Sequence, residues 1–155
     1  MTEMTVIRDL LSYRLHTVAN LLSRGAELRY RREFGVSLWE WRTIALLGAA
    51  VKPQSLNELA RAAGIDKSQM SRVVSGLAAR GIVLRAADAV DGRGVRLALS
   101  KAGRKLYQGL IRAAAQRDTA FKECLSAKEK QVFEEVLAKL AGRARDFIHR
   151  EKAVR

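Results

Sequence analysis

The chain has 155 residues, 48% of them hydrophobic, and carries 29 Lys and Arg against 16 Asp and Glu, a net charge of +13. That length supports one unit with a core of its own. Cations spread along the whole chain point to a polyanionic partner, because charge serving only solubility is met with mixed signs. A single cysteine, Cys124, excludes an intramolecular disulfide and a cysteine-built zinc site.

The segment MTEMTVIRDLLSYRLH meets charged residues before any long apolar run forms. Neither a secretory signal nor a spanning helix fits, so a cytoplasmic location without a membrane partner is expected. From residue 6 to about 32, Ile7, Leu10, Leu11, Leu15, Val18, Leu21 and Leu22 keep helical spacing and predict a long amphipathic first helix. Gly35 breaks the pattern. SLWE at 37–40 is a capping box that opens a second helix. That helix is apolar on more than one side, with Leu38, Trp41, Ile44 and Ala45 on one and Trp39, Arg42 and Leu46 on another, and both tryptophans are most simply core.

A second capping box, SLNE at 55–58, follows the only proline, and Leu56, Leu59, Ala60 and Ala63 make one apolar face that ends at Gly64. GIDKSQMS opens the next helix, with Asp66 as its cap, Gln69 completing the box, and Ile65 and Met70 as a hydrophobic staple. A short helix, a glycine turn and a longer helix form a helix-turn-helix. At 100° per residue, Met70, Val73, Val74, Leu77 and Ala78 cluster on one side of the longer helix. Ser68, Arg72 and Ser75 point the other way, with Lys67, Gln69 and Ser71 on the flanks. The outward face carries no carboxylate beyond the cap, which suits entry into a DNA major groove.

Ile82, Leu84 and Ala86 alternate with Val83 and Arg85, and Val95, Leu97 and Leu99 alternate with Arg96 and Ala98. Both runs have strand period with one buried face and predict an antiparallel hairpin. Gly92 and Gly94 permit a tight tip, where Asp91 can orient Arg93 toward a narrow minor groove. This is a wing. After it, Ser100 caps a helix bearing Ala102, Leu106, Tyr107, Leu110 and Ile111. SAKE at 126–129 then opens a last helix whose Val132, Phe133, Val136, Leu137, Leu140, Ala144, Phe147 and Ile148 form a long seam. That seam and the first helix both need a partner, so the terminal helices are expected to interlock between two chains. The fold class is therefore mainly α with a small β-hairpin wing: a winged helix-turn-helix with long N- and C-terminal dimerisation helices.

The run SLNELARAAGIDKSQMSRVVSGLAARGIVLR, followed by DGRGVRLALSKAGRKLY, resembles the MarR family of bacterial transcription regulators over nearly the whole chain. The resemblance implies a single unit over 1–155, with a winged module at 37–99 and dimerisation helices at 1–34 and 100–155. It also implies a homodimer on a pseudo-palindromic double-stranded DNA operator, usually a repressor released by a small, often aromatic or phenolic, ligand. Carried over, Ser68, Ser71, Arg72 and Ser75 would face the major groove, and Asp91 and Arg93 would form the wing tip. Many relatives carry another arginine directly after the wing arginine; here Gly94 stands there, and Arg96 is expected to compensate. Relatives that sense organic peroxides carry a cysteine near the start of the first helix, which Cys124 does not match. The family's effector cleft suggests Tyr13, His16, Trp39 and Arg42 as ligand contacts.

A ligand-independent regulator and a non-specific DNA-packaging protein remain alternatives. The latter would bind with a steep salt dependence and little preference between sequences. Enzyme chemistry is not expected, because His16 and His149 stand at opposite ends of the chain and Cys124 has no histidine nearby in sequence. Neither a cofactor nor a metal is expected, since no phosphate loop or metal-spaced cluster occurs.

Overall fold

The computed structural model describes residues 6–88, 92 and 94–154. A 3₁₀ turn, Ile7–Asp9, precedes α1 (Leu11–Phe34), α2 (Leu38–Ala49), β1 (Gln54–Ser55), α3 (Leu56–Ala63), α4 (Lys67–Ala79), β2 (Val83–Ala87), β3 (Val95–Leu99), α5 (Lys101–Lys122) and α6 (Ala127–Ala153). The first helix starts later than its apolar spacing predicts. Leu10 is extended, with φ −66° and ψ 132°, and no side chain caps the helix there, so the segment before it closes only a 3₁₀ turn.

The capping boxes at Ser37, Ser55 and Ser126 form as expected. Each serine hydroxyl accepts the amide N–H of the glutamate three residues on, and each glutamate carboxylate takes the serine's own N–H. Such a cap contributes on the order of 1 kcal/mol. The cap of α4 is only half a box. Asp66 Oδ1 accepts the Gln69 N–H at 2.8 Å, but the Gln69 side chain does not reciprocate, because a neutral amide is a weaker acceptor than the carboxylates that close the other three.

The chain divides into two compact units, Met1–Ala114 and Ala115–Arg155. In the first, the core is built from Tyr30, Ile44, Leu59, Met70, Leu77, Leu97, Leu99 and Leu110, all essentially inaccessible to solvent. Tyr30 packs its ring 5.2 Å from that of Trp41, which joins the end of α1 to α2. Trp41 is core as expected, whereas Trp39 stays half-exposed.

The sheet has the order β1-β3-β2 and is antiparallel throughout. The two-residue strand β1 was not anticipated, since two residues carry no periodicity. The pairing also corrects the expected faces of the hairpin. Val83 lies opposite Leu99 and Arg85 opposite Leu97, so the inward residues of β2 are Val83 and Arg85. Leu84, paired with Ala98, is 55% exposed. Ile82 is buried but precedes the strand, just after Gly81 at φ +70°, so counting alternation from Ile82 shifts every side chain to the other face. Val95, at the far end of β3, is exposed as well.

The second unit contains the end of α5 and all of α6. Lys122 bridges Asp118 at 2.9 Å and Glu134 at 3.5 Å, tying the two helices together beside the exposed Cys124. Along α6, Val132, Phe133, Val136, Phe147 and Ile148 remain exposed. The apolar seam read from the sequence thus lies open, as do Leu11, Leu15, Val18 and Leu21 on α1.

Near the start of α5, Ser100 takes its place in the helix cap by accepting the Gly103 N–H at 3.0 Å, while its own hydroxyl donates to Gly81 O at 2.6 Å. This draws α5 so close to the strand entry that a Cβ on Gly103 would run into the carbonyl oxygen of Ile82. Gly103→Ala is expected to lower stability by about 1–3 kcal/mol in urea unfolding, the usual cost of overpacking. Gly142→Ala, where a Cβ meets open space in α6, should be neutral or stabilising by up to ~1 kcal/mol.

Candidate nucleic-acid interface

The glycine turn between α3 and α4 begins with Gly64 at φ +70°, a left-handed conformation that ends α3. The Ile65 N–H then reaches back to Ala60 O at 3.1 Å. The turn aims Met70, Val74 and Leu77 into the core and leaves the opposite side of α4 to solvent. Lys67, Ser68, Arg72 and Ser75 are exposed there, and Gln69 and Ser71 are half-buried on the flanks. Lys67, Ser68, Ser71 and Arg72, together with Leu56 at the head of α3, line one open concavity. All six α4 positions predicted for DNA are thus on the accessible surface, and α4 itself contains no carboxylate. Its electrostatics favour an anion.

The wing hairpin closes through Asp88 N–H to Gly94 O and Gly92 N–H to Asp88 O, both 2.8 Å. The predicted tip residues Asp91 and Arg93 lie outside the described residues. Arg96 has a different setting from the one expected of a DNA-gripping cation. Its Nε donates to Asp88 Oδ2 at 2.7 Å and its Nη1 to Glu58 Oε2 at 3.1 Å, so the guanidinium spans the base of the wing and the first turn of α3. Since Glu58 Oε2 also accepts the Ser55 N–H at 2.7 Å, one carboxylate fixes both the cap of α3 and the wing. The hydrogen bonds from Ser55 and the nearby Arg96 charge hold the Glu58 carboxyl below its ordinary value of 4.5.

Further arginines that the sequence reading missed also set the interface. Arg80, just past α4, pairs with Glu40 at 3.0 Å and donates to Gly35 O at 3.2 Å, fastening the end of the helix to the corner between α1 and α2. Arg85 donates from β2 to Ser75 Oγ at 2.8 Å. A polar residue on the inward face of a strand is the signal that marks Arg85, and it becomes visible only once the register is known. The pair of Arg96 with Glu58 spans 38 positions and has no local signature.

Of the four ligand candidates, the structure brings two together. Arg42 lies 4.9 Å above the Trp39 ring and donates to Ser23 Oγ on α1 at 3.3 Å, beside a cleft lined by Trp41, Ala45, Leu46, Ala62 and Ala63. Tyr13 and His16 are exposed farther up α1, His16 bonded to Asn20 at 2.8 Å. At ~1.5 Å per residue, Tyr13 stands roughly 15 Å along the helix from Ser23, so within one chain these two stand apart from the other pair. Among the described residues, no group of three or more acidic, histidine or cysteine side chains could hold a metal, and no helix is long and apolar enough to cross a membrane.

A helix-turn-helix with a hairpin fastened against it is a winged DNA-binding module. Comparison with known proteins gives the same class. The family model described as MarR family matches residues 34–94, the stretch from the end of α1 through the wing. The HTH-type transcriptional regulator FarR of Neisseria gonorrhoeae is 30% identical over 102 residues, 66% of this chain and 69% of that protein. The crystal structure of a MarR/EmrR family transcriptional regulator from Acinetobacter sp. ADP1 superposes with a TM-score of 0.82 at 25% identity, over 92% of this chain and 99% of that one. The S. aureus MepR in its DNA complex shares the fold, with a TM-score of 0.78 at 19% identity over 86% of this chain and 98% of its own. The chain belongs to the MarR family and is a DNA-binding transcription regulator.

Two consequences are measurable. Replacing Arg96 by Met removes both ion pairs, each partly exposed, and should weaken operator binding roughly fivefold, in line with ~1 kcal/mol for such pairs. In a footprint, protection should fade at the flanking minor groove and persist under α4. Acid should destabilise the fold through the lowered carboxyls of Glu58 and Glu129. Because their folded values lie below the unfolded one, their stabilisation is complete above about pH 4.5 and is lost as pH falls through the folded values. Glu58→Gln should flatten the fall in melting temperature below that pH.

Proposed function

We propose that the protein is a homodimeric repressor whose two winged modules read the halves of a pseudo-palindromic operator, with a small aromatic or phenolic ligand releasing it. The observation that carries the DNA reading is the outward face of α4: Lys67, Ser68, Gln69, Ser71, Arg72 and Ser75 without a carboxylate among them. In the groove, Arg72 would grip a guanine edge while the serines and Gln69 contact neighbouring edges and phosphates. The wing tip, Asp91 and Arg93, would enter the adjacent minor groove. Arg96 supports the reading as the residue that holds the wing in place rather than as a direct contact.

The dimer reading is supported by the apolar faces that α1 and α6 each leave open, since contiguous exposed apolar surface marks an interaction site. Two modules on a symmetric dimer would present their α4 helices about one DNA turn apart, ~34 Å. The ligand reading is supported by the Arg42 and Trp39 pair, which offers an aromatic wall and a cation beside a cleft. A ligand that binds better to a differently spaced dimer would lower operator affinity by population shift.

Selection of genomic fragments by the purified protein at physiological salt tests this. The expected result is one pseudo-palindrome, with Arg72→Ala costing ~1–3 kcal/mol and relaxing preference at one position of each half-site. The net charge of +13 supports the competing packaging reading, under which recovery would be unselective and Arg72→Ala would weaken all fragments alike.

A further inference from the structure

Ser75 stands on the outward face of α4 and accepts a hydrogen bond from Arg85 Nη2 at 2.8 Å. Arg85 arrives from an unusual direction for a surface cation. Its place opposite Leu97 puts it on the same face of the sheet as Val83, where it lines a recess of about 160 Å³ with Leu56, Ser71, Val74, Val95 and Leu97. Arg85 is an exposed residue that borders this recess and sends its guanidinium across to α4, as long cationic side chains do at the edge of a core.

A serine hydroxyl can give one hydrogen bond and accept two, so on a reading helix it is ambivalent between donor and acceptor edges. The guanidinium has donors only. Where it occupies a lone pair of Ser75 Oγ, the hydroxyl hydrogen must turn away from the cation. The usual alternative for a helical hydroxyl is the carbonyl four residues back, and Thr17, Thr43 and Thr119 all bond in that way. Among the described residues the Ser75 hydroxyl makes no such bond, so its hydrogen is available on the solvent side.

We propose that Arg85 is a specificity-determining positioning residue: by taking one of the two lone pairs of Ser75 Oγ and turning the hydroxyl hydrogen away from the cation, it favours Ser75 as a hydrogen-bond donor toward the groove. At the base facing Ser75, α4 then prefers an acceptor edge, purine N7, guanine O6 or thymine O4, over the exocyclic amino group of cytosine. This rests on the reading of α4 as the major-groove helix and adds to it a residue that lies on the sheet and touches no base. A single donor discriminates at the low end of the range for one base pair, roughly fivefold.

The test is operator selection with the wild-type protein and with Ser75→Ala, Arg85→Met, Arg85→Lys and the double change Ser75→Ala with Arg85→Met. Methionine keeps an apolar stem for the recess and removes the guanidinium, while lysine restores a cationic donor. The expected result is that Ser75→Ala abolishes the bias against cytosine at one half-site position. Arg85→Met should abolish it at the same position and leave the others unchanged, with no additional loss in the double variant. Arg85→Lys should recover at least part of the bias, which a merely structural role for the guanidinium does not predict. Retention of the bias in Arg85→Met, or a uniform loss of affinity at every position without rescue by lysine, overturns the proposal. Unselective recovery by the wild-type protein, or no change of preference in Ser75→Ala, overturns the groove reading of Ser75 itself and the proposal with it.

Discussion

The backbone N–H of Ser55 and the guanidinium of Arg96 end on the same oxygen of Glu58, and the rest of the module takes its orientation from that meeting. Ser55 caps α3 with its hydroxyl and is also the β1 residue paired with Arg96 across the sheet. The start of α3, the middle of β3 and, through Asp88, the base of the wing are thereby referred to one point. From α3 the glycine turn sets the direction of α4, whose buried Met70, Val74 and Leu77 set which side of it faces out. On the proposed reading, in which α4 enters a groove and the hairpin reaches beside it, the two have to keep a fixed separation. Here this is done by charged groups at the surface, with Arg85 and Arg80 completing the fastening on either side of α4.

What could be read from the chain and what could not follows from the range of each interaction. The boxes at Ser37, Ser55 and Ser126 join residues three apart, and the buried side of α4 repeats within two turns, so both are written locally. The position of Arg85 was not, because its face depends on where the strand begins, and Gly81 with Ile82 displaces that start by one residue. The clamp on Arg96 joins elements far apart in sequence, so its carboxylate partners, Glu58 and Asp88, could not be read locally. Similarly, Tyr13, His16, Trp39 and Arg42 combine the right residue types for a ligand. Only the structure separates the pair at the junction of α1 and α2 from the pair farther along α1.

The distribution of apolar surface divides the labour between the two units. In the first, the hydrophobic core is closed around Tyr30, Ile44, Met70 and Leu110, which gives the outward face of α4 a rigid support. In the second, α6 keeps its phenylalanines and β-branched residues outward, a surface that has meaning only once something covers it. The cations follow the opposite rule. Those near the reading face are largely committed to carboxylates or hydroxyls of the module, whereas Lys67 and Arg72 stand in the open.

The partial exposure of the clamp has a consequence for how the protein would respond to electrolyte. Arg96 and Glu58 retain 34% and 42% of their side-chain accessibility, so their attraction is screened by the same ions that compete for a DNA backbone. On the proposed reading of the wing, added salt would act twice: it would displace the protein from phosphate, and it would loosen the posture from which the wing reaches it. A count of released counterions taken from the steepness of binding against salt would exceed the number of phosphates lying under the protein.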